Sequence, residues 1–481
     1  MTLGELFGPA AGWHGEIEVT DLVSDSRQVT AGAAFIALPG ERSHGLEYAA
    51  RALEAGARIV IYDAADKRGQ VPEPNLAVPG LNSRVGALGR RFYTQDASVR
   101  ELIGITGTDG KTTVAFLVAQ ALTALGRPCG YIGTLGFGSP DALREHALTT
   151  PDCLALHREI AAIDAEAAAI EVSSHALEQD RVAGLDFGIA ALTNFSRDHL
   201  DWHGSLEKYF AAKAKLFERP GLRAAVINVA DAGAARMQQR VAPTVAVIGV
   251  ALGTHADARL EARVDVRGLD GLVLRLEGAY GRATLESRLI GTFNAENLLV
   301  AAGVLAAAGY SIDAIADALG GAVAAPGRME VFGGGSGPWV VVDYAHTPRA
   351  LERVLAELAA ASAGAVTCVF GCGGDRDRGK RELMGRAAAA HAAHIVLTDD
   401  NPRSEDPARI VAEIAAGTAG HADVQVVHDR AKAIRGAIAW AKPGDVVLVA
   451  GKGHETVQIV GDERRDFDDR AIVRMALGSV S

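Results

Sequence analysis

Residues 104–125 pass from an apolar run that reads as a strand, through a glycine-rich stretch, into a helical repeat of apolar side chains. Val114, Leu117, Val118, Ala121, Leu122 and Leu125 recur at i, i+3, i+4, i+7, i+8 and i+11, which predicts a helix with one apolar face, closed by Gly126 and Pro128. Residues 33–38 and 58–62 are short β-like runs, 48–55 read as a helix, and a loop with Pro and Asn covers 72–83, so residues 1–98 are expected to form a small α/β module. From 99 to 325 apolar runs alternate with alanine-rich helices, the pattern of parallel βαβ units. Pro326-Gly327 reads as a break. Residues 326–481 then repeat the alternation in four apolar runs, 339–342, 366–370, 394–397 and 446–449, each ending in a polar motif. The expected fold is therefore α/β in three domains, 1–98, 99–325 and 326–481. Ligands of open parallel sheets bind beyond the carboxyl ends of the strands, so the polar ends of the last four runs imply a site besides the glycine-rich stretch.

A length of 481 residues suits about three domains, each with its own core. Hydrophobic residues make up 49% and mean hydropathy is +0.13, yet much of this is alanine, and no apolar run approaches the ~20 residues of a membrane span. The first residues lack a basic region followed by an apolar segment, so a cytoplasmic protein without membrane insertion is expected. Cys129, Cys153, Cys368 and Cys372 are too few and too scattered for a disulfide framework, and are expected as buried, reduced thiols. A net charge of -11 without a long basic stripe argues against nucleic acid. Anionic substrates must then be met by local cations.

The stretch Gly-Ile-Thr-Gly-Thr-Asp-Gly-Lys-Thr-Thr, 104–113, has the make-up of a phosphate-binding loop. Backbone N–H groups converge on phosphate oxygens, the helix N-terminus adds its dipole, Lys111 neutralises charge and the Thr112 hydroxyl can hold Mg2+. The usual glycine six residues before the lysine is replaced by Ile105, flanked by Gly104 and Gly107, so a purely structural turn stays open. Residues 167–170 deliver Glu171 at a strand end, either as an exposed loop residue or as a carboxylate for Mg2+. His199 and His203 are spaced H-x3-H, which suits structural hydrogen bonding or a metal, zinc included. Lys213 falls on the helical face made by Leu206, Tyr209, Phe210, Leu216 and Phe217, opposite Lys208 and Lys215. An ammonium there must be paired, deprotonated, snorkelling outward or covalently altered, for instance to a carbamate that binds metal.

Six motifs together resemble the Mur ligase family over essentially the whole chain: 106–113, Glu-Val-Ser-Ser-His at 171–175, Thr-Asn-Phe-Ser-Arg-Asp-His-Leu-Asp at 193–201, Gly-Thr-Phe-Asn-Ala-Glu-Asn at 291–297, Pro-Gly-Arg-Met-Glu at 326–330 and Asp-Tyr-Ala-His-Thr-Pro at 343–348. Asp-Asn-Pro-Arg at 400–403 is similar to the motif of MurE-type members that add meso-diaminopimelate rather than lysine. Asp109 and Val114 depart from the residues common in relatives, Asn and Thr. The resemblance implies a small N-terminal domain binding the UDP end of the substrate, a central ATP-binding domain whose mostly parallel sheet has helices on both faces, and a Rossmann-like C-terminal domain for the amino acid. It implies ATP contacts at Gly107, Thr108, Asp109, Gly110, Lys111, Thr112, Thr113, Asn294, Arg328 and Asp343. Magnesium would be held by Thr112, Glu171, His199 and carbamylated Lys213, with Lys111, Glu171, His199 and Lys213 catalytic. Ser26 would touch the uridine nucleotide, and Thr149, Thr150, Ser173, Gln179 and Arg181 the muramoyl dipeptide. Arg376, Asp400, Asn401, Pro402, Arg403, Gly451 and Glu455 would form the diaminopimelate pocket, most other charges of 374–381 being solvated.

The implied reaction joins meso-diaminopimelate to the D-Glu γ-carboxylate of UDP-N-acetylmuramoyl-L-alanyl-D-glutamate through an acyl phosphate, in peptidoglycan synthesis. ATP is a co-substrate, Mg2+ the cofactor, the partners are small molecules, and the enzyme is expected to be a monomer whose C-terminal domain closes over the central one. Members that add lysine, a dipeptide, or glutamate to folate are alternatives, as is an ATPase that uses the loop only to change shape.

Overall fold

The computed structural model describes residues 1–40, 43–66, 69–94, 97–146 and 148–478. The chain divides into two compact units, Met1–Ile248 and Gly249–Ser481.

The first unit contains two sheets. Strands Leu22–Val23, Ala34–Ala37, Ile59–Asp63 and Asn75–Val78 form a parallel sheet in sequence order. The alternation of their side chains feeds two cores: Ile36, Ile59 and Ile61 pack with Leu3, Leu6 and Leu88 on one face, while Phe35, Val60 and Tyr62 pack with Ala49 and Ala52 on the other. In the larger sheet the parallel strands run Ala224–Asn228, Phe187–Leu192, Glu101–Thr106, Ala167–Glu171 and Cys129–Gly133 in spatial order. Register pairs Leu192 with Thr106 and Ile105 with Glu171, so the polar segments that follow these strands open at one edge. Gly136–Ser139 and Ala142–Arg144 extend the sheet as antiparallel strands.

The helix after Glu101–Thr106 spans Lys111–Ala124. It is buried on nearly every side, not along one stripe, because Ala115, Phe116 and Ala119 between the stripe positions are apolar too. The Lys213 helix is Leu206–Ala214, shorter than the repeat predicts. Leu216 and Phe217 stay buried in the turn beyond it, whereas Leu206 at its start is exposed.

In the second unit the expected parallel alternation is interrupted by an antiparallel meander, Leu260–Arg267, Leu272–Gly278 and Gly281–Ser287. These strands alternate buried and solvated residues, as a sheet covered on one face does. Helices Thr292–Ala307 and Ile312–Gly320 follow. The six-stranded sheet then runs Glu330–Gly333, Trp339–Asp343, Val446–Ala450, Val366–Phe370, His394–Leu397 and Val424–Val426, parallel except at its first strand. Val341, Cys368, Phe370 and Leu448 face one helical layer, Val340, Val369, Val447 and Val449 the other. The fold is thus α/β with mostly parallel sheets sandwiched by helices. All four cysteines are free and buried, and burial pushes the thiols of Cys129, Cys153 and Cys372 up to about 12.

Candidate active site

The strand Glu101–Thr106 ends in a loop that two backbone conformations make possible: Gly107 at φ +151° and Gly110 at φ +80°, the latter capping the helix. A Cβ on Gly107 would lie 1.8 Å from Thr193 Oγ1. The loop is clasped by the segment after Phe187–Leu192. Thr193 Oγ1 and Asn194 Nδ2 donate to the Asp109 carbonyl (2.5 and 3.1 Å), Asn194 Oδ1 accepts from Asp109 N (2.9 Å), and Thr108 N donates to the Asn194 carbonyl (3.0 Å). Lys111 Nζ donates to the carbonyls of Gly107 (3.0 Å) and Thr108 (2.8 Å). Thr112 and Thr113 are buried in the first helical turn.

Glu171 is fully buried at the end of its strand. Its carboxylate accepts from Thr112 Oγ1 (3.0 Å), Thr134 N (2.9 Å), Thr134 Oγ1 (3.2 Å) and the Tyr131 hydroxyl. Every one of these donors is neutral, so among the described residues the buried charge has no ion-pair partner. Lys213, 1% exposed, donates to the Gly107 carbonyl at 2.6 Å and lies 4.6 Å from the centre of the Tyr209 ring. Burial, reinforced by Lys111, holds its ammonium well below the usual lysine range. It does not snorkel outward, and among the described residues it forms no ion pair. His199 has φ +49° and a half-exposed ring, its pKa lowered by burial and by Lys111 and Lys213. His203 is buried instead, with Nε2 3.0 Å from Ser174 Oγ and Nδ1 3.1 Å from Glu178, a structural role. Among the described residues no group of three or more His, Cys, Asp or Glu gathers as a zinc site requires.

Around Glu171 the structure brings together the dipeptide candidates. Thr149 Oγ1 lies 3.1 Å from Thr134 Oγ1, Thr150 Oγ1 donates to the Glu171 carbonyl (2.7 Å), and Ser173 N donates to Thr150 Oγ1 (3.1 Å). Ser173 Oγ caps the helix Ser174–Glu178, and Arg181 donates to Gln179 Oε1 (2.7 Å) and the Thr150 carbonyl (2.9 Å). Ser26 is buried in the loop after Leu22–Val23, in the four-stranded module.

In the second unit Asn294 donates to the Ile290 carbonyl (2.8 Å) and accepts from Asn297 (3.1 Å). Asp343 accepts from Met329 N and Ala345 N (both 2.8 Å), and its pKa is raised by burial despite Arg328. Arg328 stacks 4.4 Å from the centre of the Tyr344 ring. At the ends of the six-stranded sheet, Asn401 donates to Glu455 Oε2 (2.8 Å) and Arg403, at φ +53°, donates to the Gly374 carbonyl (2.8 Å). Pro402 closes over Gly374, whose Cβ would meet the Pro402 oxygen at 1.9 Å. A Cβ on Gly451 would meet Asp400 Oδ2 at 2.9 Å. Arg376 is exposed and donates to the Asp375 carbonyl (3.1 Å). One charge of 374–381 departs from the solvated loop: Arg381 is fully buried between Glu405 and Glu413. Tyr131, Thr134 and Lys452 are further polar residues of these clusters, missed because Glu171, the partner of the first two, and Asn401, one partner of the third, lie far along the chain.

Three family models match: the Mur ligase middle domain over residues 105–305, the Mur ligase glutamate ligase domain over 327–453, and the Mur ligase catalytic domain over 18–93. The chain belongs to the Mur ligase family. An Alkalilimnicola ehrlichii protein named UDP-N-acetylmuramoyl-L-alanyl-D-glutamate--2,6-diaminopimelate ligase is 46% identical over 473 residues, covering 96% of this chain and 95% of its own. A solved structure of a ligase of the same name superposes with a TM-score of 0.69 at 38% identity, covering 96% and 95% of the two chains. The Thermotoga maritima MurF ligase, solved with ADP, shares the fold at a TM-score of 0.65 and 16% identity, covering 97% of this chain and all of its own. Among the described residues no helix is long and apolar enough to cross a membrane.

Proposed function

We propose that this Mur ligase joins meso-diaminopimelate to the D-Glu γ-carboxylate of UDP-N-acetylmuramoyl-L-alanyl-D-glutamate, with conversion of ATP to ADP and phosphate, as a step of peptidoglycan synthesis. The full-length identity to a ligase of that name carries the reading. The site supports it: a glycine loop for phosphates, a buried carboxylate beside it, and a separate polar cluster at the ends of a second sheet.

A carboxylate is a poor electrophile, and an amine does not displace oxide from it. The γ-carboxylate of D-Glu therefore attacks the γ-phosphate of ATP, giving an acyl phosphate and ADP. The deprotonated amine of diaminopimelate then adds to the acyl carbon, and the tetrahedral intermediate expels phosphate to leave the amide. Loop N–H groups and Lys111, whose ammonium exchanges its carbonyl partners for phosphate oxygens, stabilise the charge that moves. Thr149, Thr150, Ser173, Gln179 and Arg181 orient the dipeptide so that its carboxylate lies in line. Asn294, Arg328 and Asp343 are assigned to the nucleotide and Ser26 to the uridine end. Residues 1–98, 99–325 and 326–481 are assigned as the UDP-, ATP- and amino-acid-binding domains.

The unpaired buried charge of Glu171, with the Thr112 hydroxyl, fits a hard cation, and Glu171, Thr112, His199 and the carbamate of Lys213 would hold Mg2+. When bound, the ion neutralises phosphate charge. Arg376, Asp400, Asn401, Pro402, Arg403, Gly451 and Glu455 form the proposed amino-acid pocket. The distal carboxylate of diaminopimelate suits the planar fork of arginine, which lysine as substrate would leave unpaired. The test couples ADP release to the UDP-dipeptide with diaminopimelate or lysine as acceptor, the product identified by mass. Absence of a UDP-tripeptide from diaminopimelate refutes the reading.

A further inference from the structure

Lys452 is 0% exposed, which for an ammonium requires compensation on every side. It has three acceptors for its three protons: the Val457 carbonyl at 2.7 Å, Glu455 Oε2 at 3.0 Å and Asn401 Oδ1 at 3.2 Å. Two of these belong to residues proposed to bind the amino acid. Asn401 Oδ1 also accepts from Ile459 N at 3.0 Å, so the amide oxygen is committed and the amide nitrogen must face the other way. There Nδ2 donates to Glu455 Oε2 at 2.8 Å. The two donors, Lys452 and Asn401, thus occupy the same carboxylate oxygen. Among the described residues Glu455 Oε1 has no partner, and the Glu455 side chain keeps 30% exposure. A carboxylate pinned by one oxygen presents the other as a fixed acceptor for an ammonium.

We infer that Lys452 is a positioning residue for the amino-acid substrate: by holding Asn401 Oδ1 and Glu455 Oε2 it aims Glu455 Oε1 at an ammonium of the incoming diamino acid. The inference rests on the proposed function, which places Asn401 and Glu455 in the amino-acid pocket. Without the Lys452 ammonium the Asn401 amide loses one reason to keep its orientation, and a flipped amide would set its oxygen against the Glu455 carboxylate. Lys452 itself does not touch the substrate, so its removal weakens one substrate's binding and leaves the phosphate chemistry in place.

The test is steady-state kinetics of full-length Lys452→Met, close in length but uncharged, with ATP, UDP-dipeptide and diaminopimelate varied in turn, alongside thermal melting. The expected result is a KM for diaminopimelate raised about ten- to hundredfold, the loss of a charged hydrogen bond, with the other two KM values within about twofold. A purely structural lysine would raise all three KM values together or lower the melting temperature with no KM split, and either outcome overturns the inference. So does a variant indistinguishable from wild type. Should Lys452→Met fail to fold, Lys452→Arg is read by the same split. Wild-type protein that makes no UDP-tripeptide from diaminopimelate refutes the proposed function; wild-type activity with an unsplit variant refutes only the role of Lys452.

Discussion

Lys111 and Lys213 donate to the same atom, the carbonyl oxygen of Gly107, at 3.0 and 2.6 Å. Two ammonium groups so placed repel, and Lys213, the buried one, gives up its proton more readily. A neutral amine is the form that adds CO2. Lys213→Arg keeps a cation but cannot become a carbamate, so kcat should fall about a hundredfold or more while the fold survives. Wild-type protein equilibrated with isotopically labelled bicarbonate should show a carbamate resonance that the variant lacks.

Gly107 occupies a conformation that L residues rarely adopt, against the Thr193 hydroxyl. Gly107→Ala must push the loop off the 193–196 segment that clasps it. Nucleotide affinity measured by titration calorimetry should drop at least about tenfold, whereas binding of the UDP-dipeptide should change little.

Glu171 accepts only, from four donors. Glu171→Gln places an amide N–H among those donors and removes the charge the proposed cation needs. The melting curve should show a loss of about 1–3 kcal/mol, and ligase activity should fall far more than that loss explains. Activity within tenfold of wild type would show that the carboxylate serves stability alone.

Arg403 is the proposed partner of the distal carboxylate of diaminopimelate. Arg403→Ala should lower kcat/KM for diaminopimelate by about 10- to 150-fold, the range of one charged hydrogen bond, with little change for lysine. Equal losses with both acceptors would assign the arginine to the loop it braces through Gly374.

Glu405 and Glu413 are held down at about 2, Glu405 chiefly by its hydrogen bond to Arg381 and Glu413 by its bonds to Arg378 and Arg381. Carboxyl groups depressed in the folded state stabilise it above their unfolded pKa near 4.5, and that stabilisation disappears as pH falls through about 2. Melting temperature should therefore decline with acidification across this window, and Arg381→Met should flatten the decline.

The local signals in the chain were readable because each needed only its own neighbours. Lys213 stood out against Tyr209, Phe210, Leu216 and Phe217, and the structure buries it with them. The glycine turn between strand and helix lies where the apolar pattern placed it. Lys452 was not readable as a buried strut: Glu455 and Val457 are near it in sequence, but Asn401, which it ties to Glu455, stands 51 residues away. Arg381 looked like one charge in a solvated run because Glu405 and Glu413 lie 24 and 32 residues on. Leu206 misled in the opposite sense: the repeat placed it on the buried face, but at the first turn of its helix it remains 43% exposed. Periodicity reports what a helix is able to bury, and only tertiary packing decides what covers it.

With all four thiols buried, the surface carries no exposed cysteine. A cysteine engineered at any exposed position would be the sole target for a maleimide dye in the folded enzyme. Paired labels could then follow distances within the molecule during turnover, with no native cysteine to remove first.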